Sequence, residues 1–159
     1  MRIQPAIKAA VSFGAGIFIT FSQSHSPEVG LYTLAVYGLI VGLSSVALAF
    51  GRKIEGALQE LPMATLATLI GIFALLAAQS EQGQLAAFIA LTATWGLISG
   101  AFGLYQARRF GIKELQGRDH LLSSIFALVL GALFLGVELD PVSAVGFFGA
   151  YLALDGVHW

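Results

Sequence analysis

The sequence predicts an all-α membrane protein whose six transmembrane helices form three repeated helical hairpins in a pseudo-threefold bundle. Three observations lead to this prediction: an apolar composition, six apolar stretches of transmembrane length, and basic residues confined to one set of connections. Hydrophobic residues make up 57% of the 159 residues and charged residues 11%, whereas soluble domains carry about 25% charged residues. The net charge of −1 and the absence of cysteine argue against a nucleic-acid partner and exclude a disulfide-stapled secreted domain.

The predicted helices belong to a single membrane domain over residues 1–159 (Ala6–Phe21, Val29–Phe50, Pro62–Gln79, Leu85–Tyr105, His120–Val137, Pro141–Trp159). Each comes near the roughly 20 apolar residues that a transmembrane helix needs. The first is short, but the Lys8 side chain extends it by reaching toward the interface. A cleaved signal peptide is the alternative for this stretch, because Arg2 and Lys8 precede an apolar run followed by small residues.

The basic residues predict the orientation. All 8 lie before or in the first turn of helix 1, after helix 2 or after helix 4 (Arg2, Lys8; Arg52, Lys53; Arg108, Arg109, Lys113, Arg118), and the connections 22–28, 80–84 and 138–140 contain none. By the positive-inside rule, both termini lie in the cytoplasm. Four of these residues, Arg52, Lys53, Arg108 and Arg109, are predicted to anchor the protein to lipid headgroups.

An internal repeat predicts the three hairpins, over approximately 6–53, 62–109 and 120–159. The second helix of each unit carries an aromatic residue five positions before a glycine, in Tyr37–Gly42, Trp95–Gly100 and Tyr151–Gly156, and the glycines are 58 and 56 residues apart. Units of two helices insert with the same orientation, so an axis along the membrane normal relates them. Basic residues follow the second helix of the first two units but not that of the third, so either the chain ends at Trp159 or a short tail follows.

Small residues along the helices are predicted to pack one helix against another. Gly38 and Gly42, like Gly96 and Gly100, are four residues apart, a spacing that lets helix backbones approach closely in lipid. Gly156 is expected to serve the third unit in the same way. Gly146 and Ala150 have this spacing on the sixth helix.

Asp155 is the most informative polar residue, because ionisable groups within a span are costly and often functional. It lies roughly 21 Å along the helix from Pro141, near the cytoplasmic interface. His158 is three residues further on the same face. An interfacial Asp155–His158 pair is therefore predicted; a proton or ion relay and a contact with a partner subunit are the alternatives.

An acidic rim is predicted on the outer side of the bundle, where four carboxylates are the only charged groups (Glu28, Glu81, Glu138, Asp140). If bundle closure brings these connections together, the carboxylates raise one another's pKa values. The alternative is a solvated surface that keeps the loops in water.

No catalytic, cofactor or metal motif is present. The sequence contains no Gly-x4-Gly-Lys-Ser/Thr, His-Glu-x2-His or Gly-x-Ser-x-Gly motif. The three histidines (His25, His120, His158) are divided between the two sides of the membrane, so they do not form one metal site. We therefore expect neither an enzyme nor a bound cofactor.

Residues 131–141 (GALFLGVELDP) and 149–156 (GAYLALDG) resemble the hairpin repeat of the HdeD-like family. Pro27 occupies the position of Pro141 in the first unit, while the second unit has Gly83 and Gln84 there. The resemblance implies a six-helix bacterial inner-membrane protein linked to acid resistance. It assigns no catalytic residue to any position of this sequence.

The sequence and this resemblance together predict a non-enzymatic protein of the bacterial cytoplasmic membrane with a stress-protection or membrane-organising role. One alternative is an accessory subunit of a larger membrane complex; the sequence leaves the oligomeric state in the lipid bilayer open between a homo-oligomer and such a complex. Another is a small channel or transporter around the threefold axis, which needs polar residues there (Ser44, Ser45, Thr65, Thr68, Thr92, Thr94, Ser99).

Overall fold

A computed structural model describes residues 3–51 and 57–159, and these residues form six α-helices. The helices are α1 (Ile3–Phe21), α2 (Pro27–Gly51), α3 (Ala57–Ala78), α4 (Gln84–Phe110), α5 (Leu115–Gly136) and α6 (Pro141–His158). The all-helical prediction is confirmed. The apolar pattern marks only the part of a helix that is suited to lipid, so α4 and α5 extend about five residues beyond their predicted boundaries into polar sequence.

Local sequence explains where the helices begin and end. Pro141 is in the first turn of α6, and the Asp140 side chain accepts a hydrogen bond from the Ser143 N–H over 3.0 Å. This is an ordinary N-cap with a proline in a favoured position. Gly83 precedes α4 with φ of 75°, a left-handed conformation that favours glycine.

Five of the six described helices are long and apolar enough to cross a membrane: Ile3–Phe21, Pro27–Phe50, Glu60–Ala78, Gln84–Phe110 and Leu115–Gly136. The sixth, α6, falls outside this set. It has only 18 residues, which include Asp155 and His158. Its Asp155 and His158 side chains contact partners on neighbouring helices.

Three helices form the centre of the bundle. Helices α2, α4 and α6 contact one another, and each remaining helix packs against two of them: α1 against α6 and α2, α3 against α2 and α4, α5 against α4 and α6. The most extensive packing joins α2 to α3, α4 to α5, and α1 to α6. The closest pairs thus connect one predicted unit to the next, and the first helix to the last.

The two ends of the bundle differ in charge. Helices α1, α3 and α5 begin where α2, α4 and α6 end, as shown by side-chain hydrogen bonds from Gln4 to Ser45 and from Gln106 to Glu60. We call this the basic end, because it carries Lys8, Arg108, Arg109, Lys113 and Arg118. The acidic end carries Glu28, Glu81, Glu138 and Asp140.

Large apolar side chains are exposed on every helix, as expected of a surface in contact with lipid. Examples from α1 to α6 are Phe18, Leu43, Leu76, Ile98, Val129 and Leu154.

The predicted packing glycines lie against neighbouring helices. A Cβ atom at Gly38 would be 2.6 Å from the Ala67 carbonyl oxygen, and one at Gly96 would be 2.6 Å from that of Ala127. The other three face Thr68 (from Gly42), Leu128 (from Gly100) and Phe13 (from Gly156). The Gly146–Ala150 prediction is wrong: Gly146 has open space beside it and Ala150 is exposed.

Candidate functional site

A cavity of about 780 Å³ opens into the basic end, and residues from all six helices line it. Its wall includes charged and polar side chains in a bundle that is otherwise mostly apolar. They are Gln4, Lys8, Ser45, Glu60, Ser99, Gln106, Arg109, Gln116, His120, Ser123, Ser124, Tyr151 and Trp159. This cavity is the most distinctive polar feature of the described structure.

Asp155 lies behind one wall of the cavity and is fully buried. Its carboxylate accepts hydrogen bonds from Ser123 Oγ (2.8 Å), Trp159 Nε1 (3.1 Å) and Ser12 Oγ (3.3 Å). Lys8 Nζ completes the group, 3.3 Å from Oδ2 and 3.4 Å from Oδ1. Four donors from α1, α5 and the end of the chain therefore compensate the burial of this charge.

Lys8 connects this carboxylate to the cavity. Its side chain is 22% exposed, and its ammonium lies 4.6 Å from the centroid of the Trp159 ring. This distance allows a cation–π interaction. The sequence predicts that Lys8 extends α1 toward the interface; the structure instead directs it inward, to α6.

Asp155 and His158 have separate partners, so the predicted pair is not what the structure shows. His158 Nε2 is 2.9 Å from the carbonyl oxygen of Asp119 on α5. Residues three positions apart on a helix lie close enough to interact, but they need not do so. Here Asp155, on the inner helix α6, faces α1 and α5 instead of His158. A buried carboxylate on an inner helix finds its donors on adjacent helices.

A second polar contact crosses the cavity wall between α4 and α3. Gln106 is 1% exposed, and its Nε2 donates to Glu60 Oε1 over 3.1 Å. This bond sets the orientation of the amide, because a carboxylate accepts and does not donate when ionised. Gln106 Oε1 is then buried without a partner within the described part of the chain.

Three of the four serine hydroxyls on the described wall donate to their own helices, and the fourth, that of Ser123, donates to Asp155. Ser45 Oγ donates to the Val41 carbonyl oxygen and Ser124 Oγ to that of Leu121, each over 2.7 Å. Ser99 bonds to the Trp95 carbonyl oxygen in the same way. Hydroxyls bonded to their own helix retain lone pairs, so the wall is rich in acceptors.

Aromatic residues close the inner end of the cavity. The rings of Tyr37 and Trp95 meet edge to face at 5.6 Å, and Trp95 Nε1 donates to the Tyr151 hydroxyl over 3.3 Å. Beyond them, Phe88 packs on Phe134 and Phe148, with ring centroids 5.9 and 5.5 Å apart. The half of the bundle toward the acidic end is therefore a packed apolar core.

The acidic-rim residues Glu28, Glu81, Glu138 and Asp140 are exposed; Glu28 lies in the first turn of α2 and the other three lie on two connections. The expectation that they raise one another's pKa values fails at Asp140. Hydrogen bonds from the Ser143 hydroxyl and backbone N–H lower the pKa of Asp140 below its ordinary value. The hydrogen bonds that cap α6 therefore decide the direction of this pKa shift.

Of the predicted lipid anchors, Arg108 and Arg109 are exposed at the end of α4, and Arg109 also lines the cavity. Arg52 and Lys53 lie outside the described residues. Of the predicted channel-lining residues, Ser45 and Ser99 line the cavity, while Thr92 is fully buried and Thr94 is exposed.

Several cavity residues were not singled out from the sequence, among them Glu60, Gln106 and Gln116. All lie near the ends of apolar stretches, where polar residues are ordinary. No local pattern marks them, because Glu60 and Gln116 lie on α3 and α5 and the partner of Gln106 is on another helix.

No family model matches the chain, and comparison with curated proteins and with solved structures finds no match. The resemblance to HdeD-like proteins therefore stays a prediction.

Proposed function

We propose that this chain is a six-helix integral protein of a bacterial cytoplasmic membrane, with the basic end and both termini in the cytoplasm. The distribution of basic residues supports this orientation. Helix α6 spans with the others, since 18 residues reach about 27 Å. Its one buried carboxylate is neutralised by Lys8 inside the bundle, which reduces the cost of placing it there.

We further propose that the bundle consists of three repeats. Support comes from matching contacts at two interfaces. Gly38 on α2 faces Ala67 and Gly71 on α3, and Gly96 on α4 faces Ala127 and Gly131 on α5. On the third interface, Gly16 of α1 faces Ala153 of α6.

The protein's function, we propose, is to bind a small solute in the cavity, with access from the cytoplasm. The observation that carries this proposal is the polar, charged wall around about 780 Å³ inside an apolar bundle. Pockets for small molecules usually measure about 300–1,000 Å³. Ionisable side chains within membrane bundles are expensive to bury and typically line solute or ion pathways.

The aromatic closure favours a one-sided binding protein over an open pore. Tyr37, Trp95 and Tyr151 separate the cavity from the apolar core that contains Phe88 and Phe148. A cavity open to one side and closed by packed side chains to the other is the arrangement of a transporter in one of its alternating states. We therefore propose membrane transport as the role of solute binding here.

Single-cysteine accessibility tests this function without background, because the sequence contains no cysteine. A Ser99→Cys variant in oriented membrane vesicles should react with a membrane-impermeant thiol reagent supplied from the cytoplasmic side. The matched control is Thr92→Cys, about 10.5 Å deeper on the same face of α4 and fully buried. It should react only after denaturation. If Ser99→Cys is equally unreactive in the folded protein, the cavity is not accessible and the proposal fails.

The stress-protection role remains a second candidate, favoured only by the resemblance to HdeD-like proteins. Survival at low pH of cells that lack the gene, compared with complemented cells, tests it; unchanged survival would reject it.

An accessory-subunit role predicts a large assembly on native electrophoresis after mild extraction. A monomer or small homo-oligomer on that gel would count against the accessory role.

A further inference from the structure

We propose that the solute is an organic ammonium ion, and that Lys8 is an internal ammonium occupying part of its site. This inference rests on the proposed binding function and specifies its ligand class. The site consists of the Asp155 carboxylate, the Trp159 ring and the hydrogen-bond acceptors of the cavity wall, which come from α2, α3, α4 and α5.

The hydrogen-bonding capacity of the wall favours a ligand that donates. The hydroxyls of Ser99 and Ser124 donate to backbone carbonyl groups and have lone pairs left, whereas Ser45 Oγ also accepts a hydrogen bond from Gln4 Nε2. Gln106 Oε1 is a buried acceptor without a partner in the described structure, next to the Glu60 carboxylate. A buried unpaired acceptor is costly, and a ligand N–H group removes that cost.

The surroundings of Lys8 Nζ are those of an ammonium site. A fully buried carboxylate lies 3.3 Å away and an indole face lies 4.6 Å away. Carboxylates and aromatic faces together are the usual partners of ammonium ligands. The occupant in this structure is the chain's own side chain.

Lys8 is displaceable. Its distances to Asp155 exceed the 2.7–2.9 Å typical of strong charge-assisted hydrogen bonds, and its flexible side chain is 22% exposed. Asp155 keeps three further donors, from Ser12, Ser123 and Trp159, when Lys8 moves away. The carboxylate therefore stays in position for an incoming ammonium group.

Charges of both signs face the cavity, so the preference for a cation comes from the partners of Lys8 and not from the net charge of the wall. Two cationic side chains, Lys8 and Arg109, and the His120 ring line the cavity. The Lys8 charge is already paired with Asp155, and Glu60 adds a second carboxylate to the wall. In the position of the Lys8 ammonium an anion would meet the Asp155 carboxylate, whereas a cation that displaces Lys8 leaves its ammonium free to move outward.

Chemical rescue tests the inference. Lys8→Met leaves Asp155 without its cation, so its thermal unfolding midpoint should fall, and propylammonium chloride should restore it in a dose-dependent manner. Propylammonium should bind Lys8→Met at least about tenfold more tightly than the unmodified protein, because no tethered ammonium competes. Sodium chloride at equal ionic strength should not rescue. Lys8→Met/Asp155→Asn, which removes the carboxylate, should not respond to propylammonium.

A second measurement uses the intact ion pair, in case Lys8→Met does not fold. Propylammonium, but not sodium acetate, should slow thiol labelling of Ser99→Cys.

The outcomes separate the two proposals. If Ser99→Cys is accessible but propylammonium neither protects it nor rescues Lys8→Met, the ammonium inference is wrong and the binding cavity stands. If acetate protects instead, the ligand class is anionic and the inference is likewise overturned. If Ser99→Cys is inaccessible, the binding function itself is wrong.

Discussion

Replacing Gly96 with alanine should force α4 and α5 apart. The new Cβ atom would lie 2.6 Å from the Ala127 carbonyl oxygen and 2.7 Å from the Gly131 nitrogen, whereas ordinary contact begins at 3.4 Å. Both neighbours are backbone atoms, so relief requires a shift of about 0.8 Å between the two helices. Insertions of this kind into packed interiors cost about 1–3 kcal/mol of unfolding free energy.

Gly146→Ala is the matched control for this substitution. A Cβ atom there meets nothing within 4 Å, so only the intrinsic helix preference of alanine over glycine changes. The same preference acts at Gly96, and it cancels when the two variants are compared. Gly96→Ala should therefore be about 1–3 kcal/mol less stable than Gly146→Ala.

Unfolding in mixed micelles, by titrating dodecyl sulfate into a mild detergent, measures this difference. Intrinsic fluorescence is a suitable signal, because the chain has 2 tryptophans and Trp95 adjoins the substituted residue. In a thermal scan the difference corresponds to about 2–4 °C per kcal/mol for a chain of this size. Equal stability of the two variants would show that α4 and α5 are not packed through Gly96, and would refute the packing described above.

Other substitutions and fusions test the remaining structural conclusions. Gly38→Ala should cost a similar amount, because its Cβ atom meets the Ala67 carbonyl oxygen at the same 2.6 Å; a cost no larger than that of Gly146→Ala would contradict the matched interfaces. The pKa of Asp140 is lowered in the folded protein, so the ionised carboxylate stabilises the fold. This contribution to the unfolding free energy is present above the unfolded pKa of about 3.9 and is lost as the pH falls through the pKa of the folded state. The thermal midpoint of the unmodified protein should therefore drop relative to that of Asp140→Asn, which caps without titrating, between pH 5 and pH 2; parallel pH profiles would contradict this. Reporter fusions at Gln82 and Lys113 should lie in opposite compartments, with Lys113 cytoplasmic, and activity of both in one compartment would reject the six-span topology.

The helices could be predicted from the sequence because the length and apolarity of a stretch are local properties. Every predicted helix is present, and the deviations are at the ends, where polar turns follow the apolar stretch. The packing glycines could be predicted in the same way, since close approach of helices in lipid requires small residues at regular spacing. Gly146 has the same spacing but does not pack against another described helix, because spacing does not say which side of a helix faces inward.

The cavity could not be predicted because hydropathy carries no information about rotation around the helix axis. Lys8 and Gln106 each lie near an end of a predicted span, where a polar side chain usually reaches the interface. Both instead face inward, because α1 packs on the last helix and α4 is an inner helix. The partners of Lys8 and Gln106 are 147 and 46 residues away in sequence, beyond the range of any local pattern.

The three closest helix interfaces are not chemically equivalent, and the difference has a consequence for the proposed repeat. At α2–α3 and α4–α5, glycine faces glycine, as in Gly38–Gly71 and Gly96–Gly131. At α1–α6, the corresponding contact is between Gly16 and Ala153, and the Lys8–Asp155 ion pair lies toward the basic end. This interface joins helices at opposite ends of the chain, so no short loop holds it together. A buried ion pair adds little net stability but penalises mismatched partners strongly. Lys8 and Asp155 are therefore suited to specifying that α1, and not α3 or α5, packs on α6, while the same carboxylate supplies the proposed ammonium site.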